Sequence, residues 1–297
     1  MRAIALMLLF ISNISCGNAK PTIERGQDLP KIEPPAYAKE TKTNPPTTGV
    51  QETEEIMVDT ITTHEATGII KKMVVVKETP KEKFDHGAFD KLLKTYVNAN
   101  GDVDYNGFKA NKAELKAYLD ALSVNMPTNE WDRADVLTYW INAYNAFTIQ
   151  LIIDNYPIKS IKDIKDPWGT RFFKLGTKWY NLGEIEHKIL RKMGEPRIHF
   201  AINCASYSCP RLLNEAYTTA KLEGQLQEMT IDFISDTKRN VISNDRIQLS
   251  NIFKWYKKDF TTKGSLIDYI NAYAKTPISN TAKVTYLKYD WSLNEAK

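Results

Sequence analysis

The chain has 297 residues, of which 42% are hydrophobic, and a formal net charge of +4 at pH 7. This length allows one or two domains, and the apolar fraction supports a sizeable core. The basic residues are spread along the chain without forming a stripe, so we do not expect nucleic acid as a partner.

The first sixteen residues, MRAIALMLLFISNISC, have the pattern of an export signal. Arg2 supplies a positive start, and residues 3–11 form an apolar stretch that is too short to span a bilayer. Cys16 resembles the lipid-bearing cysteine of a bacterial lipoprotein, although Asn13 stands where an aliphatic residue is usual. An ordinary cleaved signal peptide is the alternative. We therefore expect an exported protein of the cell envelope, anchored to a membrane by a lipid on Cys16.

Residues 17–80 are polar and rich in Pro, Thr, Glu and Lys. A segment of this composition cannot bury enough apolar surface to offset the entropy lost on ordering. We predict a disordered tether over 17–80, in which only the apolar run at 69–76 has strand character. One folded domain is predicted over 81–297.

The first half of this domain is predicted to be helical, with apolar residues at helical spacing over 89–97 and 115–122. The longest helix is predicted over about 129–154. Its middle, YWINAYNAF, is apolar on nearly every face and predicts a buried central helix. Asn142 and Asn145 lie one turn apart within it, and buried amides need hydrogen-bond partners. They either bind neighbouring backbone or point into a site.

The second half mixes strands with helices without strict alternation, which predicts an α+β fold. A glycine-first turn at Gly176-Thr177 predicts a hairpin over 172–182, and Asn244-Asp245 predicts the turn of another. The apolar run from Arg197 predicts a buried strand. The remaining predicted elements are helices over 184–192, 219–235, 250–260 and 266–273 and a strand over 284–291.

The stretch RIHFAINCASYSCPRL at 197–212 carries the candidate chemistry, because it places Cys204, Ser206 and Cys209 at the end of the predicted strand. A cysteine nucleophile needs a base or a positive environment to form the thiolate. The body of the domain contains two histidines, His187 and His199, so one of them is the expected base.

Strand geometry favours His187 as the partner of Cys204, because His199 is five residues from that cysteine and would leave the opposite face of a strand. Glu186 or Glu184 is a candidate to orient the imidazole. We assign catalysis to Cys204, His187, His199 and Glu186. We assign substrate binding to Asn142, Asn145, Arg197 and Ser206, with Arg197 or Asn142 as a candidate donor to an oxyanion.

Two other roles for the thiols stay open. Cys204 and Cys209 could form a disulfide in an oxidising compartment. Together with His187 and His199 they could also supply the four ligands of a tetrahedral zinc ion, although the spacing of the four residues matches no common zinc motif. The chain lacks a phosphate-binding glycine loop, GxSxG and HExxH. We expect neither a cofactor nor a resident metal.

Five blocks of the sequence resemble, in order, the signature blocks of the domain-of-unknown-function family 547. They are WINAYNA at 140–146, LGEIEHKILR at 182–191, RIHFAINCASYSCPRL at 197–212, IFKWYKKDF at 252–260 and YDWSLN at 289–294. The activity of this family is not established, so the resemblance implies a domain and not a reaction. The family's recurring polar positions correspond here to Asn142, Asn145, Glu186, His187, Arg191, Arg197, His199, Cys204, Ser206, Cys209, Asp259 and Asp290.

Three functions therefore compete. The favoured hypothesis is a thiol-dependent hydrolase or acyl transferase that acts on a peptide or cell-wall amide; its likeness to transglutaminase-like sites is an analogy. The second is a non-catalytic domain that binds a glycan or peptide, with a structural cysteine pair. The third is a His/Cys metal site. In the second hypothesis the groove would be shaped by Trp140, Trp168, Trp179, Trp255 and Trp291.

Overall fold

A computed structural model describes residues 83–296 of the chain. The predictions made for the signal peptide, for Cys16 and for the tether over 17–80 lie outside the described residues. Within the described range, no helix is both long enough and apolar enough to cross a membrane.

A long central helix organises the first half of the described chain. Helix α4 has 23 residues, and every residue from Leu137 to Ile149 is buried. The prediction of a buried central helix is therefore confirmed. Helices α2 and α3 pack against α4, and α1 packs against α3. The four helices are α1 (Gly87–Tyr96), α2 (Tyr105–Ala110), α3 (Lys112–Val124) and α4 (Arg133–Asn155).

Two small sheets complete the mixed architecture, as the α+β prediction requires. Strands β1 (Phe173–Leu175) and β2 (Lys178–Tyr180) form the predicted hairpin, and Gly176 in its turn has a positive φ of 58°. In the second sheet, β3 (Val241–Ile242) pairs antiparallel with β4 (Arg246–Leu249) around the predicted Asn244-Asp245 turn. The third strand, β5 (Lys283–Tyr286), runs parallel to β4.

The predicted strand at 197–203 is wrong, because these residues begin with a short helix, α5 (Ile198–Ala201). The chain becomes extended only at Ile202. A short apolar run is compatible with a buried helix as well as with a buried strand, so its periodicity could not decide between them. His199 and Cys204 therefore do not lie on opposite faces of one strand, as had been expected.

The other helices of the second half surround this region. The predicted helix over 184–192 is a π-helix (Glu184–Ile189) followed by a 3₁₀ turn (Leu190–Met193). The helix predicted over 250–260 is divided in two, and its first part is capped by the Ser250 side chain. These helices are α6 (Leu222–Ser235), α7 (Asn251–Trp255), α8 (Lys257–Phe260) and α9 (Leu266–Asn271).

The last described residues, 287–296, form a segment that we call the C-terminal strap. The strand predicted over 284–291 ends at Tyr286, and the strap then makes single β-bridges to distant parts of the chain. Leu293 of the strap pairs with Ser206, and Ser292 pairs with Ser160. The strap therefore lies directly against the cysteine-containing loop.

Candidate active site

The predicted catalytic residues lie around one cavity of about 310 Å³. This volume falls within the range of small-molecule pockets. Cys204, His187, His199 and Glu186 all line it. The complete lining is Tyr144, Trp168, Glu186, His187, His199, Ile202, Cys204, Cys209, Ile252, Trp255, Tyr256, Tyr289 and Trp291.

The two cysteines are free thiols whose sulfur atoms lie 3.1 Å apart. A disulfide bond would require about 2.05 Å, so the sulfurs are in contact but not bonded. The hydrogen bond from Cys209, followed by those from Ser206 and Tyr289, outweighs burial and lowers the pKa of Cys204 to about 7. Burial raises the pKa of Cys209 well above its usual value. Cys204 therefore ionises first, and Cys209 remains the S–H donor.

The loop that carries these thiols holds a strained residue in place by hydrogen bonds. Ala205 has a φ of 57°, in the left-handed region that a non-glycine residue seldom adopts. The side chain of Asn203 accepts a hydrogen bond from the Ala205 N–H (2.8 Å) and donates one to the Pro210 carbonyl (2.8 Å). Such a conformation persists where the surroundings fix it and is often found at functional sites.

Arg239 fixes the same loop from another direction. Its guanidinium donates to the carbonyl of Cys209 at 3.0 Å and also to the carbonyl of Tyr207. Asp236 accepts a further hydrogen bond from it. Arg239 thus holds the backbone of the loop at Tyr207 and at Cys209.

The π-helix supplies Glu186 and His187 to the cavity. π-Helical turns are rare and are frequently found at functional sites. Glu186 is only 4% exposed; its Oε2 lies 3.5 Å from the Tyr144 hydroxyl, while its Oε1 is buried without a hydrogen-bond partner. His187 is half exposed, and its Nδ1 lies 3.3 Å from Nη1 of Arg191. Because a guanidinium can only donate, that Nδ1 is the acceptor.

His199 is a buried imidazole paired with an acid from α8. Its Nε2 lies 2.8 Å from Oδ2 of Asp259, and its ring stacks on Tyr256 with centroids 3.9 Å apart. Burial lowers the pKa of His199, against the opposing effect of Asp259, so the ring is neutral near pH 7. A neutral ring that faces a carboxylate through Nε2 carries its proton there. Nδ1 is then the nitrogen that can accept a proton.

Asp259 is held in turn by Arg191, with contacts of 2.6 and 2.9 Å. Although burial acts to raise it, the hydrogen bonds from His199 and Arg191 hold the pKa of Asp259 well below its usual range. The acid that orients an imidazole is therefore Asp259 and not the predicted Glu186 or Glu184. Both carboxylate oxygens of Glu184 are instead bound by Arg171, at 2.7 and 3.1 Å.

The sulfur of Cys204 has different neighbours from those we expected. Its hydrogen-bond partners are the Cys209 thiol at 3.1 Å, the Ser206 hydroxyl at 3.1 Å and the Tyr289 hydroxyl at 3.5 Å. Within residues 83–296, neither imidazole is among them. The lowered pKa of Cys204 therefore comes from a thiol and two hydroxyls, without the adjacent histidine that the sequence analysis proposed.

The two asparagines of α4 bind backbone. Asn142 donates to the Tyr217 carbonyl at 2.8 Å and accepts from the Tyr217 N–H at 3.0 Å. Asn145 donates to the Ala201 carbonyl at 3.0 Å and accepts from the Asn203 N–H at 2.8 Å. These contacts agree with the packing alternative, and neither residue lines the cavity. The substrate-binding role predicted for them gains no support.

Arg197 and Ser206 are also outside the cavity lining. The guanidinium of Arg197 is bound by two acids, Glu195 at 2.8 Å and Glu223 at 2.5 Å, and so is not available to steady an oxyanion. Ser206 is buried, and its hydroxyl lies 2.8 Å from that of Tyr289 and 3.1 Å from the Cys204 sulfur. Ser206 therefore supports the thiol and is not placed to contact a substrate.

The family comparison covers part of this site. Residues 128–234 match the model of a family described as "Protein of unknown function, DUF547". No curated protein and no solved structure shows a significant match to the chain. The family match supports the resemblance seen in the sequence, and the family's description names no activity.

The DUF547 match contains the π-helix, α5 and the thiol loop, but the cavity also depends on residues that follow position 234. Trp255, Tyr289 and Trp291 form an aromatic group, with ring centroids 4.5 to 5.8 Å apart, and Trp168 lies 5.7 Å from Trp291. Tyr256 joins this wall by stacking on His199. The sequence analysis did not assign either tyrosine to the site, although both lie within the quoted family blocks.

Only part of the predicted tryptophan groove is formed. Trp168, Trp255 and Trp291 meet at the cavity. Trp140 is buried within the core, and Trp179 is exposed on the β1–β2 hairpin. For the metal alternative, no three His, Cys, Asp or Glu side chains of the described region are arranged to hold an ion together.

Proposed function

We propose that the protein is a thiol-dependent hydrolase or acyl transferase that acts on a peptide or cell-wall amide, with Cys204 as the nucleophile. The observation that carries this proposal is a free thiol with a pKa of about 7, placed in a cavity that both domain imidazoles also line. About half of such a thiol is ionised at neutral pH, and the thiolate is the nucleophilic form. The thiol needs no imidazole to ionise.

In the proposed reaction the Cys204 thiolate attacks the amide carbonyl carbon. A sulfur–carbon bond forms while the π electrons of the carbonyl move to oxygen. When this intermediate collapses, the carbon–nitrogen bond breaks, and the amine leaves with a proton from the cavity imidazole, which took up the proton that the Cys204 thiol released on ionising. Water or a second amine then attacks the thioester and gives a proton to the imidazole, which regenerates the thiolate.

His199 is the stronger candidate for this proton transfer. Asp259 orients its ring through Nε2, which leaves Nδ1 to take up and return a proton. This arrangement of imidazole and orienting acid is the one that activated nucleophiles commonly use. His187, which lines the same cavity, is the alternative carrier. Tyr289, whose hydroxyl lies beside the sulfur, replaces Arg197 and Asn142 as the candidate donor to the oxyanion.

The proposal is tested by the rate at which iodoacetamide alkylates Cys204 as a function of pH, read by peptide mass mapping under reducing conditions. We expect a midpoint near pH 7. Cys209 should remain unlabelled over the same range because its pKa is raised. The Cys204→Ser variant should lose the label and any hydrolysis of an activated acyl ester. A midpoint near that of an ordinary cysteine, about 8.5, would contradict the proposal.

A second candidate is the non-catalytic binding domain with a structural cysteine pair. It is favoured by one observation, the 3.1 Å contact between the sulfurs, which is one oxidation step from a disulfide. Intact mass under non-reducing conditions separates the two candidates. A protein isolated from its native compartment that lacks the mass of two hydrogen atoms, and regains it on reduction, would support the binding domain.

We also propose that the protein is exported and held at a membrane by a lipid on Cys16. The support is the sequence of residues 1–16, in which an apolar stretch precedes this cysteine. In cell fractionation the full chain should sediment with membranes, whereas the Cys16→Ser variant should be released. Equal distribution of the two forms would contradict lipid anchoring.

A further inference from the structure

Building on the proposed function, we propose that the cavity binds a primary ammonium group of the substrate, with Glu186 as its acceptor and aromatic side chains as its walls. Three features of the cavity support this proposal: a buried acid with an unpartnered oxygen, the charges around it and an aromatic wall.

Glu186 is the buried acid. It lines the cavity, is 4% exposed and leaves Oε1 without any hydrogen bond. Its carboxylate has a long contact of 3.5 Å between Oε2 and the Tyr144 hydroxyl, and it also interacts with the Tyr256 hydroxyl. A buried carboxylate that lacks partners is costly to the folded protein. Retaining such a group in the wall of a cavity is explained if a ligand supplies the missing donor.

The neighbouring cations do not supply that donor. Within residues 83–296, the one basic side chain at ion-pair distance from Glu186 is His187, whose Nδ1 lies 3.6 Å from Oε1. That nitrogen accepts from Arg191 and so has no proton to donate to Glu186. Arg191 is itself bound in a bidentate pair by Asp259. Within the described residues, Arg191 therefore acts on Glu186 only through space and forms no ion pair with it.

The cavity wall has the character that suits an organic cation. Tyr256, Trp255, Tyr289 and Trp291 present aromatic rings along it, and Trp255 is 47% exposed. The faces of such rings attract ammonium groups. An anionic ligand would face both the carboxylate of Glu186 and the thiolate of Cys204, so an anion is disfavoured.

The ligand class can be narrowed to primary ammonium. Oε1 of Glu186 has no hydrogen-bond donor beside it. A primary ammonium has N–H groups that can donate to this oxygen, whereas a quaternary ammonium has none. The amine released by amide hydrolysis takes up a proton and becomes an ammonium at neutral pH, and the amine that accepts an acyl group also enters as an ammonium. The subsite would therefore hold the amine side of the reaction next to Cys204.

The test uses the full chain with Cys204→Ser, so that binding is measured without chemistry. The probe is n-butylammonium, compared with n-butanol and tetramethylammonium, with calorimetry and tryptophan fluorescence as readouts. We expect saturable binding of n-butylammonium, with weaker or no binding of the other two. Adding Glu186→Gln should weaken it by about tenfold or more, because a hydrogen bond to a charged group is lost.

A matched control is Glu184→Gln, which removes an equally buried acid from the same π-helix. Glu184 is already bound by Arg171, so its loss should leave the affinity unchanged. If Glu186→Gln does not fold, as judged by circular dichroism, Trp255→Leu provides the second variant, with about a threefold expected loss.

The inference is overturned if n-butylammonium does not saturate, if n-butanol binds equally well, or if the two glutamate variants weaken binding to the same degree. If n-butylammonium does not bind but Cys204 is alkylated with a midpoint near pH 7, this inference alone is removed and the proposed function stands. Ammonium binding to a protein whose thiol proves inert would instead remove the proposed enzyme and leave the subsite.

Discussion

The two asparagines of the central helix α4 and the ionisable groups of the thiol cavity are buried in different ways. In α4 the amide of Asn142 and that of Asn145 each donate one hydrogen bond and accept another from backbone. In the cavity Glu186 leaves one oxygen without a partner, and Cys204 keeps an ionisable thiol. Because buried polar groups are normally satisfied, the exceptions are the better indicators of function.

The two regions are also connected. Asn145 binds the backbone of Ala201 and Asn203, immediately before the thiol, and so supports the loop from α4. We therefore expect changes in α4 to act on stability and changes in the cavity to act on reactivity. The following predictions test that division, beginning with the largest effect.

The first prediction concerns Asn145→Ala, which leaves two buried backbone groups without partners. We expect a loss of roughly 2 to 4 kcal/mol in the free energy of unfolding, measured by urea denaturation. The control is Gln150→Ala on the same helix, whose side chain binds Asp154 near the surface. That change should cost less than about 0.5 kcal/mol. Equal losses in the two variants would remove the structural role assigned to Asn145.

The second prediction concerns Asp259→Asn, which removes the charge that Arg191 and His199 share. We expect a loss on the order of 1 to 3 kcal/mol at pH 7 and lower turnover, because the imidazole loses its orienting acid. The pKa of Asp259 is lowered in the folded protein, so its stabilisation is present above the unfolded pKa of about 3.9 and is lost as the pH falls below it.

Urea denaturation between pH 7 and pH 2 measures this contribution. The acid-induced loss of stability should be smaller in Asp259→Asn than in the natural chain. Asp120→Asn is a suitable control, because Asp120 belongs to an exposed pair with Lys116. Its effect should stay below about 1 kcal/mol. If the free energy of unfolding fell in parallel with pH in the natural chain and in Asp259→Asn, Asp259 would not titrate as described.

The third prediction concerns Cys209→Ala, which removes the main hydrogen bond that lowers the pKa of Cys204. The pKa should rise towards that of an ordinary cysteine, about 8.5. Alkylation at pH 7 should then slow by roughly tenfold, while the rate at high pH, where both proteins are thiolates, stays similar. An unchanged pH profile would mean that Cys209 does not donate to the Cys204 sulfur.

The smallest expected effect is that of Tyr289→Phe. The hydroxyl of Tyr289 is 3.5 Å from the sulfur, a long contact, and is the last of the three hydrogen bonds that lower the pKa of Cys204. We expect alkylation at pH 7 to slow by about threefold or less. Ser206→Ala should fall between this variant and Cys209→Ala. The reverse order of the three variants would contradict the description of the sulfur's surroundings.

The sequence was sufficient for those parts of the fold that depend on local pattern. The continuous apolar surface of YWINAYNAF predicted the buried α4, and the glycine-first turn at Gly176-Thr177 predicted the β1–β2 hairpin. It was insufficient at Ile198–Ala201, where three buried apolar residues and one buried histidine suit helix and strand equally. It also did not predict the π-helical form of Glu184–Ile189, since a wide turn has no distinct spacing in a short segment.

The candidate site shows a similar limit. Cys204 and the two histidines were chosen because their residue types are rare and chemically suited, and they do line one cavity. Asp259 is 60 residues from His199 along the chain, and Tyr289 is 85 residues from Cys204. Contacts at such separations depend on tertiary packing, which periodicity does not encode. The predicted orienting acid was therefore taken from the nearest helix, where Glu186 and Glu184 serve other purposes.

The C-terminal strap has a practical consequence for protein production. A recombinant fragment trimmed to residues 128–234, the extent of the family match, would carry the thiol loop but lack Tyr289, Trp291 and Asp259. Such a fragment would expose apolar surface that the strap normally covers, and its sulfur would lose one of its donors. Inactivity or precipitation of the trimmed form would therefore say nothing about the proposed activity. Expression boundaries should include residues 83–296.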